Sequence, residues 1–216
     1  MKHSTEFILL TGTRVGERSL VLHTLSPQWG RRSFITSLGK GASTSLFLPL
    51  SLLEGEVTEN PRSELWRAQG LVSVEPLAGL RSDVHKNSMT VFMSEVLYRS
   101  IRDGALEEGL YEWCRSCILT LDALESDFAN FHLRFLLEFA SALGFSPTLE
   151  DLAPFAGEHL GVLRELLSSD PASFLLVPMN GEQRNAVATL LLDYISFHSG
   201  TRLEIRSLPV LRELYR

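Results

Sequence analysis

Asn130-Phe-His-Leu-Arg-Phe-Leu-Leu-Glu-Phe-Ala-Ser-Ala-Leu-Gly-Phe-Ser-Pro147 is the stretch on which the reading of this chain turns. Together with Phe128 just before it, its large apolar residues recur at Phe131, Phe135, Phe139 and Leu143. Steps of three or four place them on one helical face. Leu136, Leu137, Ala140 and Ala142 widen that face until little of the helix is left for water. Gly144 is placed to end the helix in a left-handed turn, and Pro147 keeps it from resuming. A helix apolar on most sides must be surrounded, so it is read as the centre of an all-α region. A Phe-rich stripe of this kind is a core, not a cofactor box.

Outward from it, helices are expected from Ser82 or Asp83 to Ile101 and from about Ala105 to Leu124. Between Pro147 and Pro171 one short helix is expected, around His159–Leu167. Asn180-Gly-Glu-Gln183 offers a capping-box start for a helix to about His198 that Gly200 ends, and Arg206–Leu214 adds a last turn or two. The first eighty residues read differently. Glu6–Thr11, Ser19–Thr24, Arg31–Thr36, Leu46–Glu56 and Leu65–Val74 are β-favouring runs separated by Gly, Pro and Asn turns. Five short strands are too few for a sandwich and suit a small closed barrel such as the OB-fold, with a small sheet packed on the helices as the alternative. The expected class is α+β, an OB-fold nucleic-acid-binding domain over residues 1–78 and a helical domain over 79–216, with the boundary at Glu75-Pro-Leu-Ala-Gly-Leu80.

At 216 residues the chain holds enough apolar side chains for one large or two small cores. No apolar run approaches the roughly 18 residues that span a membrane, and the charged start is no signal peptide. A cytoplasmic, nucleoid-associated protein is expected. Cys114 and Cys117, three apart in a helical pattern, are expected as buried thiols. The net charge of −6 argues at first against a polyanionic partner, but the charge is unevenly spread. Residues 1–53 carry six basic side chains against two acids, and residues 81–216 twelve against nineteen. The front end is electropositive and the helical body acidic.

Enzyme signatures are missing. Gly39-Lys-Gly-Ala-Ser43 lacks the Walker order, and neither a Gly-x-Ser-x-Gly elbow nor a His-Glu-x-x-His helix occurs. Cys114-x-x-Cys117 is half a zinc motif without its other pair, and the six histidines make no ligand spacing. His132 is read as a packing residue. No catalytic residue, metal or cofactor is expected. What remains is a cationic and aromatic set in the front half: Arg14, Arg18, Trp29, Arg31, Arg32 and Lys40. Phosphates need cations along a groove, and unpaired bases need flat surfaces to stack on, so these six are the candidate DNA-binding residues.

The order of motifs resembles the RecO recombination mediators of bacteria over nearly the whole chain. The resemblance rests on Phe7-Ile-Leu-Leu-Thr-Gly-Thr-Arg-Val-Gly-Glu-Arg-Ser-Leu-Val-Leu-His-Thr24, Trp29-Gly-Arg-Arg32, Gly39-Lys-Gly41 and Leu48-Pro-Leu-Ser-Leu-Leu53. Further back it rests on Val91–Tyr98, Asn130–Leu137, Leu143-Gly-Phe-Ser-Pro147 and Arg206-Ser-Leu-Pro-Val-Leu211. The set looks most like the variants of Bacteroidetes. It implies an OB-fold followed by a helical domain and a non-catalytic role in recombinational repair. Such proteins bind single- and double-stranded DNA, anneal complementary strands and, with RecR, help replace single-stranded-DNA-binding protein (SSB) by recombinase. A repair adaptor with little DNA binding of its own is the alternative. Two departures stand out. Many members carry a four-cysteine zinc site after the Gly-Phe-x-Pro turn, whereas residues 147–171 hold no cysteine, and the loop after Gly41 reads Ala-Ser-Thr-Ser where Lys and Arg are usual. The acidic, apolar-ended tail of SSB needs a cation beside an apolar cleft, for which Arg134 is the candidate, with a salt bridge to Glu138 as its alternative role.

Overall fold

The computed structural model describes residues 1–39 and 44–215. Five strands, β1 (Lys2–Val15), β2 (Ser19–Ser26), β3 (Gly30–Ser37), β4 (Leu52–Thr58) and β5 (Trp66–Ser73), close a barrel in the order β1-β2-β3-β5-β4. All neighbours are antiparallel except β3 and β5, which pair in parallel at Phe34–Trp66 and Ile35–Arg67. This is the OB-fold arrangement. Alternation places Phe7, Leu9, Leu22, Phe34, Leu53 and Val57 inside, all at 0 % exposure.

β1 is long because it serves two partners, β4 through its first half and β2 through its second, with a register shift between Leu9 and Thr11. Residues 48–51 fill that irregularity: the Leu50 N–H donates to the Leu9 carbonyl (2.8 Å), and the Leu9 N–H donates to that of Ser51 (2.9 Å). Leu46–Glu56 is therefore not one strand. A 3-10 turn (Thr44–Phe47) comes first, and β4 begins only at Leu52, after Pro49 and a positive φ at Leu50.

The helices are α1 (Ala78–Ser82), α2 (Val84–Ser100), α3 (Leu110–Ala123), α4 (Phe131–Ala142), α5 (Leu149–Ala156), α6 (Leu160–Ser168), α7 (Pro171–Leu176), α8 (Gly181–Ser199) and α9 (Leu208–Leu214). By packing, the chain forms two compact units: Met1–Ala78 with Ser94–Leu119, and Gly79–Met93 with Thr120–Arg216. A cut at 78 separates strands from helices, but residues 94–119 pack with the barrel.

In the first unit, those residues cover the outer side of β1. The Ser94 hydroxyl donates to the Leu10 carbonyl, the Tyr111 hydroxyl to Glu6 (3.3 Å), and Arg115 lies 3.8 Å from both Glu6 and Glu75. Burial and the Glu6 carboxylate push the Tyr111 pKa up. Ile8 and Leu10, which face outward from β1, are accordingly buried.

The second unit is built around α4. Phe131, Leu133, Phe135, Leu136, Phe139 and Ala140 are all buried, and α7 and α8 pack against the helix. Gly144 has a φ of 85° and ends it as expected. Asn130 precedes α4, but its amide is spent elsewhere. It donates to the carbonyls of Val177 (2.9 Å) and Leu175 (3.2 Å) at the end of α7 and accepts from Arg184 Nε (2.9 Å). α8 starts on the Asn180–Gln183 capping box and ends at a left-handed Gly200. Lys86 is buried and donates to the carbonyls of Asp122 (3.1 Å) and Leu124, a cation at the C-terminus of α3. Between 147 and 171 the single expected helix is two, α5 and α6. A second capping box, Thr148 with Asp151, starts α5, which continues through Pro154 although that residue has no N–H to give the Glu150 carbonyl.

Candidate nucleic-acid interface

The structure divides the five described candidate residues, Arg14, Arg18, Trp29, Arg31 and Arg32, between the two ends of β3. Arg14 lies near the end of β1, paired with Leu20, and Arg18 lies in the turn before β2. Residues 12–18 are all exposed, so this hairpin end stands clear of the barrel. Among the described residues neither guanidinium has a hydrogen-bond or carboxylate partner. Ser19 pairs with Ser37, and the Leu38 N–H donates to the Arg18 carbonyl (2.8 Å), which puts the hairpin end beside the last residues of β3. Lys40 lies outside the described residues.

Arg31 and Arg32 lie at the other end, Arg31 being about 20 Å from Ser37 at ~3.3 Å per residue. Their side chains leave β3 on opposite faces. Arg31 is committed to the protein. Its guanidinium sits 4.5 Å over the Tyr98 ring and donates through Nη1 to the Ile101 carbonyl. Its backbone is tied as well: the Arg31 N–H donates to the Ala105 carbonyl (3.0 Å), and the Gly104 N–H donates to the Arg31 carbonyl (2.8 Å). The connection between α2 and α3 is thus clasped to β3 like a short extra strand. Gly30 makes the approach possible, because a Cβ there would meet the Ala105 oxygen at 1.8 Å.

Arg32 leaves on the inner face, at the barrel end, and lies flat on the Trp66 ring, 3.6 Å from its centroid. Trp29 is half-buried in an aromatic cluster. It meets Trp66, Phe34 and His3 edge-on, at 5.5, 6.2 and 5.5 Å. Trp66 is the residue that the sequence reading missed. Its signal, a tryptophan opening a strand after a polar turn, is weak without the β3–β5 pairing that sets it beside Arg32.

Charge follows strand. β2 and β3 contain no acidic residue, whereas Glu54 and Glu56 project from β4, with Lys2 2.6 Å from Glu56. Arg67, paired with Ile35, adds an exposed cation on the β3 side. His23 adds none. It shares a hydrogen bond with the Ser33 hydroxyl (2.8 Å) and packs on Tyr98 (5.2 Å), and burial, then the nearby Arg31 charge, lower its pKa. β2 and β3 thus set no carboxylate of their own against a polyanion, although Glu17 shares the hairpin turn with Arg18 and Asp103 acts on His23.

In the second unit Arg134 donates through Nε to Glu138 (2.6 Å) and through Nη1 to the Pro171 carbonyl (3.3 Å), so the intrahelical salt bridge is realised. His132 is fully buried between Phe92 and Tyr215, and burial, then Arg184, lower its pKa to about 3. It packs, and stays neutral. Cys114 and Cys117 are buried thiols outside any disulfide, and burial raises the pKa of Cys114. Among the described residues no group of three or more His, Cys, Asp or Glu side chains is placed to hold a metal ion, and no helix is long and apolar enough to cross a membrane.

Comparison with known proteins agrees with this architecture. The family model "Recombination protein O C terminal" matches residues 81–154. Three proteins named DNA repair protein RecO align over the full length of both chains, from Phocaeicola vulgatus at 29 % identity, Bacteroides fragilis at 27 % and Flavobacterium psychrophilum at 24 %. The family model falls on the helices and the relatives align with barrel and helices alike, so the chain is similar from end to end to DNA repair proteins named RecO.

Proposed function

We propose that this chain is a non-catalytic mediator of recombinational repair that binds single- and double-stranded DNA, anneals complementary strands and, with RecR, helps exchange SSB for recombinase. One observation carries the DNA-binding part. The exposed hairpin end presents Arg14 and Arg18 without carboxylate partners, beside two strands that carry no acid. Annealing needs no bond to be made or broken. It needs cations that screen the repulsion between two phosphate backbones while base edges stay free, and contacts weak enough to release the duplex. Exposed arginines on mobile stems fit that need better than buried, bidentate ones. Lys40 lies outside the described residues and keeps only its reading from the sequence. Arg31 is assigned to the fold instead, since its guanidinium is spent on Tyr98 and Ile101.

The contact with the SSB tail is assigned to the helical part. An incoming tail carboxylate at Arg134 would compete with Glu138 for Nε. The test is annealing of complementary strands precoated with SSB, followed by energy transfer between end labels. The chain should accelerate pairing on coated strands, and Arg134→Ala should lose that gain while still annealing bare strands. If the wild type accelerates neither, the mediator reading fails and the adaptor alternative gains.

A further inference from the structure

Arg32 differs from every other cation in the barrel, and the difference points to a ligand. Arg14, Arg18 and Arg67 are exposed, and Arg31 is consumed by Tyr98 and the Ile101 carbonyl. Arg32 is half-buried and held flat, with its guanidinium carbon 3.6 Å from the Trp66 centroid, yet among the described residues that guanidinium has no hydrogen-bond or carboxylate partner. Its Nε is sealed from solvent without an acceptor. Trp66 is itself fixed, with Trp29 against it at 5.5 Å and an interplanar angle of 81°, and Trp29 in turn set edge-on to His3 and Phe34. A planar cation is thus clamped on a rigid aromatic support, its donors unspent.

Nucleobases stack on guanidinium planes as they do on aromatic rings, and a plane already supported by tryptophan loses no rotamer freedom when a base arrives. The remaining N–H donors then face outward for the adjoining phosphate. In a duplex every base is already stacked on its neighbours, so only an unpaired base can use such a plane. Building on the DNA-binding reading above, we propose that the outer face of the Arg32 guanidinium, backed by Trp66, is a stacking platform for one unpaired nucleobase and gives the chain a preference for single strands. The platform lies at the opposite end of β3 from Arg14 and Arg18, with Arg67 on the neighbouring strand. From Arg32 to Ser37 the span is about 17 Å at ~3.3 Å per residue. That corresponds to about five nucleotides at ~3.4 Å each, within the range of one OB-fold.

Arg32→Lys separates stacking from charge, because lysine keeps the cation and loses the plane. With the full-length chain, affinity is measured for an oligodeoxythymidine strand and for a duplex. Arg32→Lys should weaken single-strand binding about tenfold, the typical contribution of one stacked base, and leave duplex binding within about twofold. Trp66→Phe, which keeps an aromatic support, should lie close to wild type, and Trp66→Leu close to Arg32→Lys. Thermal melting of each variant confirms that it is folded. If the wild type binds both DNAs and Arg32→Lys binds single strands equally well, the platform is refuted while the DNA-binding reading stands. If the wild type binds neither, both fall.

Discussion

Replacing Gly30 by alanine tests whether the connection between α2 and α3 is fastened to β3. Gly30 has a φ of 58°, a left-handed backbone that disfavours an L side chain by about 1–2 kcal/mol. A Cβ at that position would also lie 1.8 Å from the Ala105 oxygen and 2.7 Å from the Leu106 Cα, both backbone atoms that cannot swing aside. The connection must withdraw by about 1 Å or more to reach ordinary contact. The bonds from the Arg31 N–H to Ala105 (3.0 Å) and from the Gly104 N–H to Arg31 (2.8 Å) then fail, at about 1 kcal/mol each. The expected loss is about 3–4 kcal/mol. Gly16 supplies the control: its φ is 65°, but nothing lies within 4 Å of its Cβ position, so Gly16→Ala should lose only the backbone part. Urea unfolding followed by tryptophan fluorescence reads the right region, because Trp29, Trp66 and Trp113 all belong to the first unit. The two variants should differ by about 2 kcal/mol at equal m. If they lose the same stability, the clasp holds nothing, and the assignment of Arg31 to the fold loses its basis.

Two further predictions concern the second unit. Lys86→Met keeps the apolar stem and removes the donors to the Asp122 and Leu124 carbonyls, so its urea midpoint should fall by the equivalent of about 1–3 kcal/mol. His132 is held neutral in the fold, with a pKa of about 3 against an ordinary 6.5. The unfolded chain therefore binds the proton first as pH falls. Its contribution is intact above the ordinary value and declines by about 1.4 kcal/mol per pH unit from there down to about pH 3. His132→Phe, against the same Phe92 and Tyr215, should show about 2 kcal/mol less loss of stability than wild type between pH 7 and about pH 5.

Local signals were legible where one residue decides the outcome. Asn180, Gln183 and Gly200 bound α8, Gly144 ends α4, and alternation in the front third marks strands around a shared core. What could not be read depends on partners far apart in sequence. Arg31 and Arg32 are adjacent and chemically identical, yet one is bound by residues about seventy positions later while the other faces a tryptophan brought in by a parallel pairing. Composition therefore groups residues of which the five described ones are distributed over two ends of the barrel. The segment after Pro147 was under-read for a different reason. Pro154 and Gly157 look like breakers, but the Thr148–Asp151 box starts a helix ahead of them.

The central claim is that DNA lies against the hairpin end of the barrel, held through phosphates at Arg14 and Arg18. The most direct measurement is the affinity of wild type and of the double variant Arg14→Ala/Arg18→Ala for a labelled single strand over a series of salt concentrations. Phosphate contacts carry no sequence information, so binding should weaken alike for every sequence. Each lost contact should reduce the log–log salt slope by about 0.7, or about 1.4 for the pair. The melting temperature should stay at the wild-type value, because both side chains are exposed and without partners among the described residues. A double variant that binds with unchanged affinity and unchanged slope would contradict the account and remove the hairpin end from the DNA interface.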